Sequence, residues 1–328
     1  MTNSEALPLY DLLRKKIDAY YQTIWREKWK EGVFDEWLSN FHDTDVDLLE
    51  KEKINMLYLL SKFMFFGNDE LRQLLLSLYR DIFKYPIIAK IRKSNNDTTN
   101  SVLIDSEFNK ELQKTRFIGV GNSSESGVHL LYPFRQESGL SKNFFIDTKD
   151  IFSVERHTVV SHTGSKRQTR KITFSNSHIK RYIFIDDFCG SGTQAKEYLS
   201  KIRRIKKYDP TIRIEYLMLF ATEHGIRELN KLGIFDNFEA VFTLDDSFKV
   251  FSPDSRYFKT TPNKEIEKSF SETTSLKYGN NLFPYYPLGY KDCQLLIGFS
   301  HNTPDNSLPI FWSAEGGWKP IFLRHVKF

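Results

Sequence analysis

Cysteine and long apolar runs are scarce in this chain. Only Cys189 and Cys293 occur among 328 residues, which is too few for a disulfide framework or a cysteine-rich zinc site. The longest apolar run, Leu57 to Phe66, is interrupted by Ser61 and Lys62, so we expect no segment to cross a bilayer. The N-terminus lacks the basic flank and apolar run of a secretory signal. These absences predict a cytoplasmic protein with no membrane partner.

The chain also lacks a strong excess of charge of one sign. Its 47 Lys and Arg residues oppose 42 Asp and Glu residues, for a net charge of +5, and such a mildly basic balance does not by itself demand nucleic acid. The 16 glycines and 11 prolines exclude a collagen-like or low-complexity chain. Aromatic residues, by contrast, make up 15% of the sequence. Most side chains of so numerous a class are expected in the core.

The N-terminal part of the chain has the periodicity of helices. Apolar residues recur at helical spacing from Leu9 to Trp25, from Val46 to Phe66 and from Leu71 to Ile91. The polar stretch Ser94–Ser101 that follows is rich in turn-forming residues. We therefore predict a helical extension over residues 1–95 and a second domain over residues 96–328, which includes the C-terminal tail.

The second domain has the pattern of an α/β fold. Two β-like runs between Phe152 and Phe174 flank a polar, basic insert, Ser161–Arg170. Strands and helices then alternate, which indicates a parallel sheet with crossover helices. The predicted strands are Arg116–Val120, Tyr182–Ile185, Ile212–Phe220, Ala240–Leu244 and Gln294–Phe299; the predicted helices are Gln194–Lys207 and Glu223–Leu232, and Asp186–Thr193 is a predicted loop.

The stretch from Tyr182 to Gln194 carries the clearest chemistry. Four apolar residues lead into two carboxylates, Asp186 and Asp187, and a glycine-bearing loop then opens a helix. Ligands of open α/β sheets bind at the carboxyl ends of strands, and backbone N–H groups at a helix N-terminus cradle phosphate. Two carboxylates beside such a cradle suit the vicinal hydroxyls of a sugar phosphate. The predicted phosphate-binding residues are Gly190, Ser191, Gly192, Thr193 and Gln194.

Three families share this type of pattern. The order of apolar residues, two acids and a small-residue loop resembles the signature of type I phosphoribosyltransferases. Asp186 to Thr193 also resembles the cofactor loop of amino-group DNA methyltransferases, but no Pro-Pro pair for their catalytic tetrapeptide occurs in the chain. Gly190 to Ala195 fits the dinucleotide fingerprint, yet four residues, including both acids, separate it from the strand. The phosphoribosyltransferase interpretation is favoured.

Two further segments fit that interpretation. A loop of small hydrogen-bond donors follows the strand near Arg116, where type I phosphoribosyltransferases bind pyrophosphate; its alternative is a solvated turn. The predicted pyrophosphate-binding residues are Gly121, Asn122, Ser123, Ser124, Glu125 and Ser126. Lys166 and Arg167 lie where related enzymes carry a flap that closes on the pyrophosphate. For this basic insert the alternatives are a solvated hairpin tip or contact with nucleic acid.

Several motifs together resemble one narrower family. They are the Asp-Asp loop, the stretch from Glu125 to Arg135, the segment Glu36–Phe41, and a C-terminal His-Asn-Thr-Pro-Asp-Asn-x-Leu-Pro-x-x-Trp element that runs from His301 to Trp312. The set resembles the phosphoribosyltransferase-like family of bacterial conflict systems, PRTase-CE. The resemblance extends over most of the chain.

The resemblance implies a phosphoribosyltransferase-like effector of antiviral defence, including retron-associated effectors. It implies a type I phosphoribosyltransferase-like sheet, with Asp186 and Asp187 as catalytic acids that act on phosphoribosyl diphosphate or a nucleotide with Mg²⁺. No histidine pair has metal-ligand spacing, so the metal ligands stay unknown. Gly190 and Ser191 depart from the Thr or Ala of typical enzymes. The alternative is an inactive nucleotide- or nucleic-acid-binding module that acts with a reverse transcriptase–nucleic acid complex.

Overall fold

The computed structural model describes residues 7–25, 32–121, 126–160, 166–260, 263–322 and 324. The helices are α1 (Leu9–Tyr20), α2 (Val33–Leu38), α3 (Val46–Leu60), α4 (Asn68–Ser77), α5 (Tyr85–Ser94), α6 (Ser101–Gln113), α7 (Ser126–His129), α8 (Leu131–Ser138), α9 (Thr193–Glu197), α10 (Leu199–Tyr208), α11 (Glu223–Leu232), α12 (Lys268–Leu282) and α13 (Pro309–Trp312). The strands are β1 (Met64–Phe66), β2 (Thr115–Gly119), β3 (Phe152–Val160), β4 (Lys166–Phe174), β5 (Arg181–Cys189), β6 (Arg213–Thr222), β7 (Asn237–Leu244) and β8 (Ile297–Phe299). In these described ranges, no helix combines the length and the apolar character needed to cross a bilayer.

The chain divides into two compact units. We call them the terminal unit, Met1–Gln73 with Leu244–Phe328, and the sheet unit, Leu74–Thr243. This division differs from the predicted boundary between residues 95 and 96. The turn-rich stretch after Ser94 only joins α5 to α6, and these two helices contact each other within the sheet unit. The C-terminal tail, in turn, belongs to the same unit as the N-terminal helices.

The terminal unit is built around aromatic side chains from both ends of the chain. β1 and β8 pair in parallel, with Met64 opposite Ile297. The buried indole of Trp37 stacks on Phe311 with ring centroids 5.5 Å apart, and its Nε1 donates to the carbonyl oxygen of Ile310 at 2.8 Å. The C-terminal motif that the sequence singled out therefore lies in this core, where packing explains its apolar members.

A buried carboxylate links three segments of the terminal unit. The Glu52 side chain is 3% exposed and accepts hydrogen bonds from Lys277 Nζ at 2.7 Å and from Tyr278 Oη at 2.8 Å. Lys277 also contacts Asp43 at 2.9 Å. Because a buried charge is costly without partners, this network ties α12 to α3 and to the segment before α3.

The sheet unit contains a four-stranded sheet in the order β2-β5-β6-β7. β2, β5 and β6 are parallel, with Phe117 opposite Ile183 and Ile183 opposite Glu215. α9 and α10 connect β5 to β6, and α11 connects β6 to β7. The central strands are buried along almost their whole length, which is typical of parallel strands covered on both faces. The predicted α/β class with a parallel sheet and crossover helices is confirmed.

Most predicted elements of the sheet unit occur near their predicted places. α11 has the predicted bounds, begins with a Thr222 side-chain cap and ends at Gly233, whose φ is +58°. The prediction of a loop from Asp186 onward is wrong, because β5 continues through Cys189. Helix α6 was not predicted. The two β-like runs form the antiparallel β3–β4 hairpin, whose connection, residues 161–165, lies outside the described residues.

Lys277→Met is expected to destabilise the protein, since it removes a donor from the buried Glu52 carboxylate. Leaving such an acceptor unsatisfied costs about 1–3 kcal/mol, and urea denaturation measures the loss. Lys231→Met is the matched control, because Lys231 is 72% exposed in its ion pair with Glu228 and such pairs contribute about 0–1 kcal/mol. Equal, small effects of both substitutions would contradict a stabilising role for the Glu52 network.

Candidate functional site

The two adjacent acids near the end of β5 are both buried, with Asp187 6% exposed. Asp186 is fully buried; its Oδ2 accepts from Tyr216 Oη at 2.6 Å, and its Oδ1 accepts from the backbone N–H of Asp187 at 3.1 Å. Tyr216 lies on β6 opposite Phe184, two residues before Asp186 on β5. Diagonal neighbours on adjacent strands are within reach of a long side chain. Both oxygens of Asp186 are therefore occupied by donors of the protein itself.

Burial raises the pKa of Asp186 well above its ordinary value. The Asp187 carboxylate acts in the same direction, while the hydrogen bond from Tyr216 lowers this pKa. Burial, followed by the charge of Asp186, also raises the pKa of Tyr216. Desolvation disfavours the ionised form of each group, so burial favours the neutral form of both members of this hydrogen-bonded pair.

The predicted phosphate loop, Gly190–Gln194, follows β5 and is held from β6. Thr222 Oγ1 donates to the carbonyl oxygen of Gly190 at 2.6 Å and accepts from Gly225 N–H at 2.9 Å. Gly192 has a φ of +66°, a conformation that glycine adopts without a steric penalty. The hydroxyls of Ser191 and Thr193 lie 2.9 Å apart. One threonine thus caps α11 and anchors the loop.

Cys189 immediately precedes this loop. Its side chain is buried, and burial raises the pKa of its thiol to about 12. The thiolate is the nucleophilic form of cysteine. Cys189 is therefore a neutral packing residue at neutral pH, and the acids and the loop are the groups that can act on a ligand.

The predicted pyrophosphate loop begins beside the phosphate loop. Tyr198 Oη donates to the carbonyl oxygen of Gly121 at 2.7 Å and accepts from the Gly121 N–H. Tyr198 lies between α9 and α10, so it joins the start of one predicted loop to the helices that follow the other. Asn122, Ser123, Ser124 and Glu125 lie outside the described residues, and Ser126 begins α7.

Two glycines let helices approach the ends of the central strands. A Cβ atom at Gly127 in α7 would overlap the backbone of Val120 and would lie 2.8 Å from the carbonyl oxygen of Ile185. A Cβ atom at Gly225 in α11 would overlap the carbonyl oxygen of Cys189. No larger residue fits these contacts. The helix starts are thereby packed directly against the ends of β2 and β5.

The structure describes the remaining predicted site residues only in part. Lys166 and Arg167 begin β4, and their side chains lie outside the described set. Across the described ranges, no group of three or more His, Cys, Asp or Glu side chains is arranged to hold a metal ion. The phosphate loop and the acids are therefore the predicted groups that the structure brings together, with Gly121 beside them.

Sequence reasoning did not identify Tyr198, Tyr216 or Thr222 as site residues. A usable signal existed for two of them. Tyr216 places a hydroxyl inside an apolar strand, and a buried hydroxyl needs a partner. Thr222 precedes the predicted start of a helix, which is the preferred position of a capping threonine. The sequence carries no usable signal for Tyr198, because its contact with Gly121 joins residues 77 positions apart.

Asp186→Asn is expected to flatten the pH dependence of stability. Because the pKa of Asp186 is raised in the folded state above 3.8, its ordinary value, the folded protein binds more protons, and stability is lost as the pH rises from that value toward the raised one. Asparagine has the same shape and does not ionise. Thermal unfolding should therefore show that the variant loses less stability than wild type as the pH rises from about 4.5 to about 7.5. The exposed Asp246→Asn should behave as wild type, and an unchanged slope in Asp186→Asn would refute the buried, neutral state.

Comparisons with known proteins assign the family. No curated protein matches the chain. Among solved structures, the chain is similar to the Helicobacter pylori xanthine-guanine-hypoxanthine phosphoribosyltransferase, with 9% identity over 55% of this chain and 92% of that chain and a TM-score of 0.23. It is also similar to the AQ2163 protein of Aquifex aeolicus, with 10% identity over 67% of this chain and 87% of that chain and a TM-score of 0.27. The PRTase-CE family model matches residues 34–324, which is most of the chain. With that match, its parallel sheet and the two adjacent acids near the end of β5, the chain belongs to the PRTase-CE family.

Proposed function

We propose that the sheet unit binds phosphoribosyl diphosphate or a nucleotide at the carboxyl ends of β2, β5 and β6. There it would break the bond between the ribose anomeric carbon and its leaving group. One observation carries this proposal: Tyr198 binds Gly121 and so connects the start of one predicted anion-binding loop to the helices that follow the other. A sugar phosphate with a second anionic group offers one anionic group to each predicted loop and its hydroxyl groups to the acids.

In this proposal the 5′-phosphate binds to the Gly190–Gln194 loop. The backbone supplies most of the donors, because the Ser191 side chain is 6% exposed and its hydroxyl lies 2.9 Å from that of Thr193. Backbone N–H groups in a glycine-containing turn before a helix bind anions well. The departure from the Thr or Ala of typical enzymes therefore reduces the role of side chains without removing the site.

The two acids receive separate roles. Asp187 would accept hydrogen bonds from the ribose hydroxyls and stabilise the positive charge that develops at the anomeric carbon. Asp186 is a positioning residue, since Tyr216 and the Asp187 backbone occupy its oxygens. In the reaction the leaving diphosphate or base takes the electron pair of the broken bond. The acceptor, or water, forms the new bond to the same carbon and releases its proton.

The proposal includes Mg²⁺ with a diphosphate substrate. Mg²⁺ commonly keeps several waters and binds through one or two carboxylates plus substrate phosphates. The described residues hold no preformed cluster of three ligands, which fits an ion that arrives with its substrate; Asp187 would be its protein ligand. When bound, the ion would neutralise charge on the leaving diphosphate. Gly121–Ser126, with Lys166 and Arg167 as a flap, would complete that end of the site.

We also propose that the chain is an effector of bacterial antiviral defence. This role is supported by membership of the PRTase-CE family and by the association of that family with conflict systems. A reverse transcriptase–nucleic acid complex is the proposed partner. If ribosyl transfer or cleavage is the effector activity, Asp187→Asn should abolish toxicity in cells at equal protein level, and toxicity that survives would refute the catalytic proposal.

Asp187→Asn is expected to abolish stabilisation by the ligand. Phosphoribosyl diphosphate with Mg²⁺ at about 100 times its dissociation constant should stabilise the wild-type protein by about 2.7 kcal/mol, which a thermal unfolding assay detects as a raised Tm. The control is Asp246→Asn, the same chemical change at an exposed residue of the terminal unit. A shift in wild type and in the control, but not in Asp187→Asn, supports the site. A shift that survives in Asp187→Asn, or one absent from wild type with this ligand and with common nucleotides, refutes it.

Tyr198→Phe is expected to weaken ligand binding, because it leaves Gly121 without its two hydrogen bonds. A net loss of about 0.5–1.5 kcal/mol per hydrogen bond corresponds to an affinity reduced about two- to tenfold for each. Isothermal titration calorimetry with phosphoribosyl diphosphate and Mg²⁺ measures it. Tyr285→Phe is the control, since Tyr285 is 87% exposed. Equal affinities of Tyr198→Phe and the control would show that the connection between the loops does not contribute to binding.

A further inference from the structure

Helix α10 presents a row of cations to solvent. Its apolar face is buried through Ile202 and Ile205, whereas Arg203, Arg204 and Lys207 are exposed. Within the described part of the chain, none of these three side chains forms an ion pair with a carboxylate. The helix contains no acidic residue. The solvent face of α10 therefore carries positive charge that no acidic residue of the helix neutralises.

The β3–β4 hairpin carries two exposed arginines that face each other. Arg156 stands directly opposite Arg170 in the antiparallel register, and both residues are exposed. Like charges directly opposite each other destabilise a strand pair. No carboxylate of the described residues pairs with either arginine. The described part of the hairpin thus places two like charges opposite each other without a carboxylate partner.

The two groups belong to one surface. The guanidinium carbon of Arg204 lies 4.8 Å from the ring centroid of Phe152, at the start of the hairpin. Tyr208, at the end of α10, packs on the rings of Phe152 and Phe174 at 5.5 and 6.1 Å. The base of the hairpin is therefore fixed against the helix. We call the exposed set the basic surface: Arg156, Arg170, Arg203, Arg204 and Lys207.

Several other surface cations of the sheet unit have carboxylate partners. Lys180 pairs with Asp209 at 2.9 Å, Lys206 with Asp236 at 2.6 Å and Lys231 with Glu228 at 2.7 Å. Lys206 lies on α10 beside Lys207, yet its ammonium group contacts a carboxylate, whereas no carboxylate of the described residues pairs with Lys207. The cations of the basic surface therefore differ from these neutralised positions.

We propose that the basic surface binds the phosphate backbone of double-stranded nucleic acid. Arg156 follows Phe152 by four residues on β3, which is about 13 Å along an extended strand. Cations that are spread along the hairpin and the helix suit a polyanion with many phosphates better than a single diphosphate. A two-stranded β-ribbon exposed on both sides also has the shape that the major groove of a B-form duplex admits. Few exposed aromatic rings accompany the cations, whereas single-strand sites use such rings as stacking platforms.

This inference goes beyond the proposed function and does not depend on it. The test is fluorescence anisotropy with a labelled DNA duplex, an RNA duplex and a single strand of the same sequence, each over a range of salt concentrations. The variant is the triple Arg156→Gln, Arg170→Gln, Arg204→Gln. The matched control is the triple Lys110→Gln, Lys180→Gln, Lys231→Gln, which removes the same charge from the same unit at residues that have carboxylate partners.

Wild type and the control triple should bind duplex with a steep dependence of log affinity on log salt concentration. The surface triple should lose about 0.9 of slope for each phosphate contact removed from B-form DNA, or about 2–3 in total. Asp187→Asn should keep the wild-type slope, which separates this inference from the proposed catalytic site. A preference for DNA or for RNA duplex identifies the form of the ligand, and either supports the proposal.

Three results would overturn the proposal. One is equal weakening by both triples, which would mean that only the net charge matters. Another is tighter binding of the single strand than of either duplex. The third is binding to vesicles of anionic phospholipid with none to nucleic acid. Circular dichroism and a thermal melt of the surface triple establish that it is folded before its affinity is compared with that of the control triple.

Discussion

The burial of the Asp186 carboxyl group is the constraint on which the geometry of the candidate site depends. A buried carboxyl needs hydrogen-bond partners, and here Tyr216 and the backbone N–H of Asp187 supply them. Both partners require β5 to remain a strand beside β6 beyond the acids. The loop therefore starts at Gly190 rather than at Asp186, and its first carbonyl group comes within 2.6 Å of the Thr222 hydroxyl at the end of β6. The position of the predicted phosphate loop thus follows from the way the first acid is accommodated.

The sequence alone predicts much of the sheet unit, because its signals there are local. β5 and β6 are continuous apolar runs, as expected for strands covered on both faces, and the helix over Glu223–Leu232 is delimited by a capping threonine and a glycine. The acids and the glycine-bearing loop also lie at the carboxyl edge of the sheet, where the strand order leads one to expect them. Each of these features can be inferred from residues within about ten positions of one another.

The features that were not predicted depend on residues far apart in the chain. β1 pairs with β8 more than two hundred residues later, so the C-terminal tail belongs to the terminal unit despite the turn-rich stretch after Ser94. The contact of Tyr198 with Gly121 is equally non-local. The environment of the two acids depends on where β5 ends. Had β5 ended at Ile185, as predicted, both carboxyl groups would lie in a loop with similar access to a ligand. Composition and periodicity carry no information on such contacts.

The raised pKa of Asp186 has a consequence for any anionic ligand. Two charges 4 Å apart interact with about 4 kcal/mol at an effective dielectric constant of about 20, so an ionised carboxylate near the loop opposes a phosphate by an energy of this order. Burial raises the pKa of Asp186 and so disfavours a negative charge on this carboxyl group. The repulsion that the first acid would exert on a phosphate is thereby reduced, while its carboxyl group still joins β5 to β6 through Tyr216. A buried first acid therefore suits an anionic ligand better than an exposed, ionised one would.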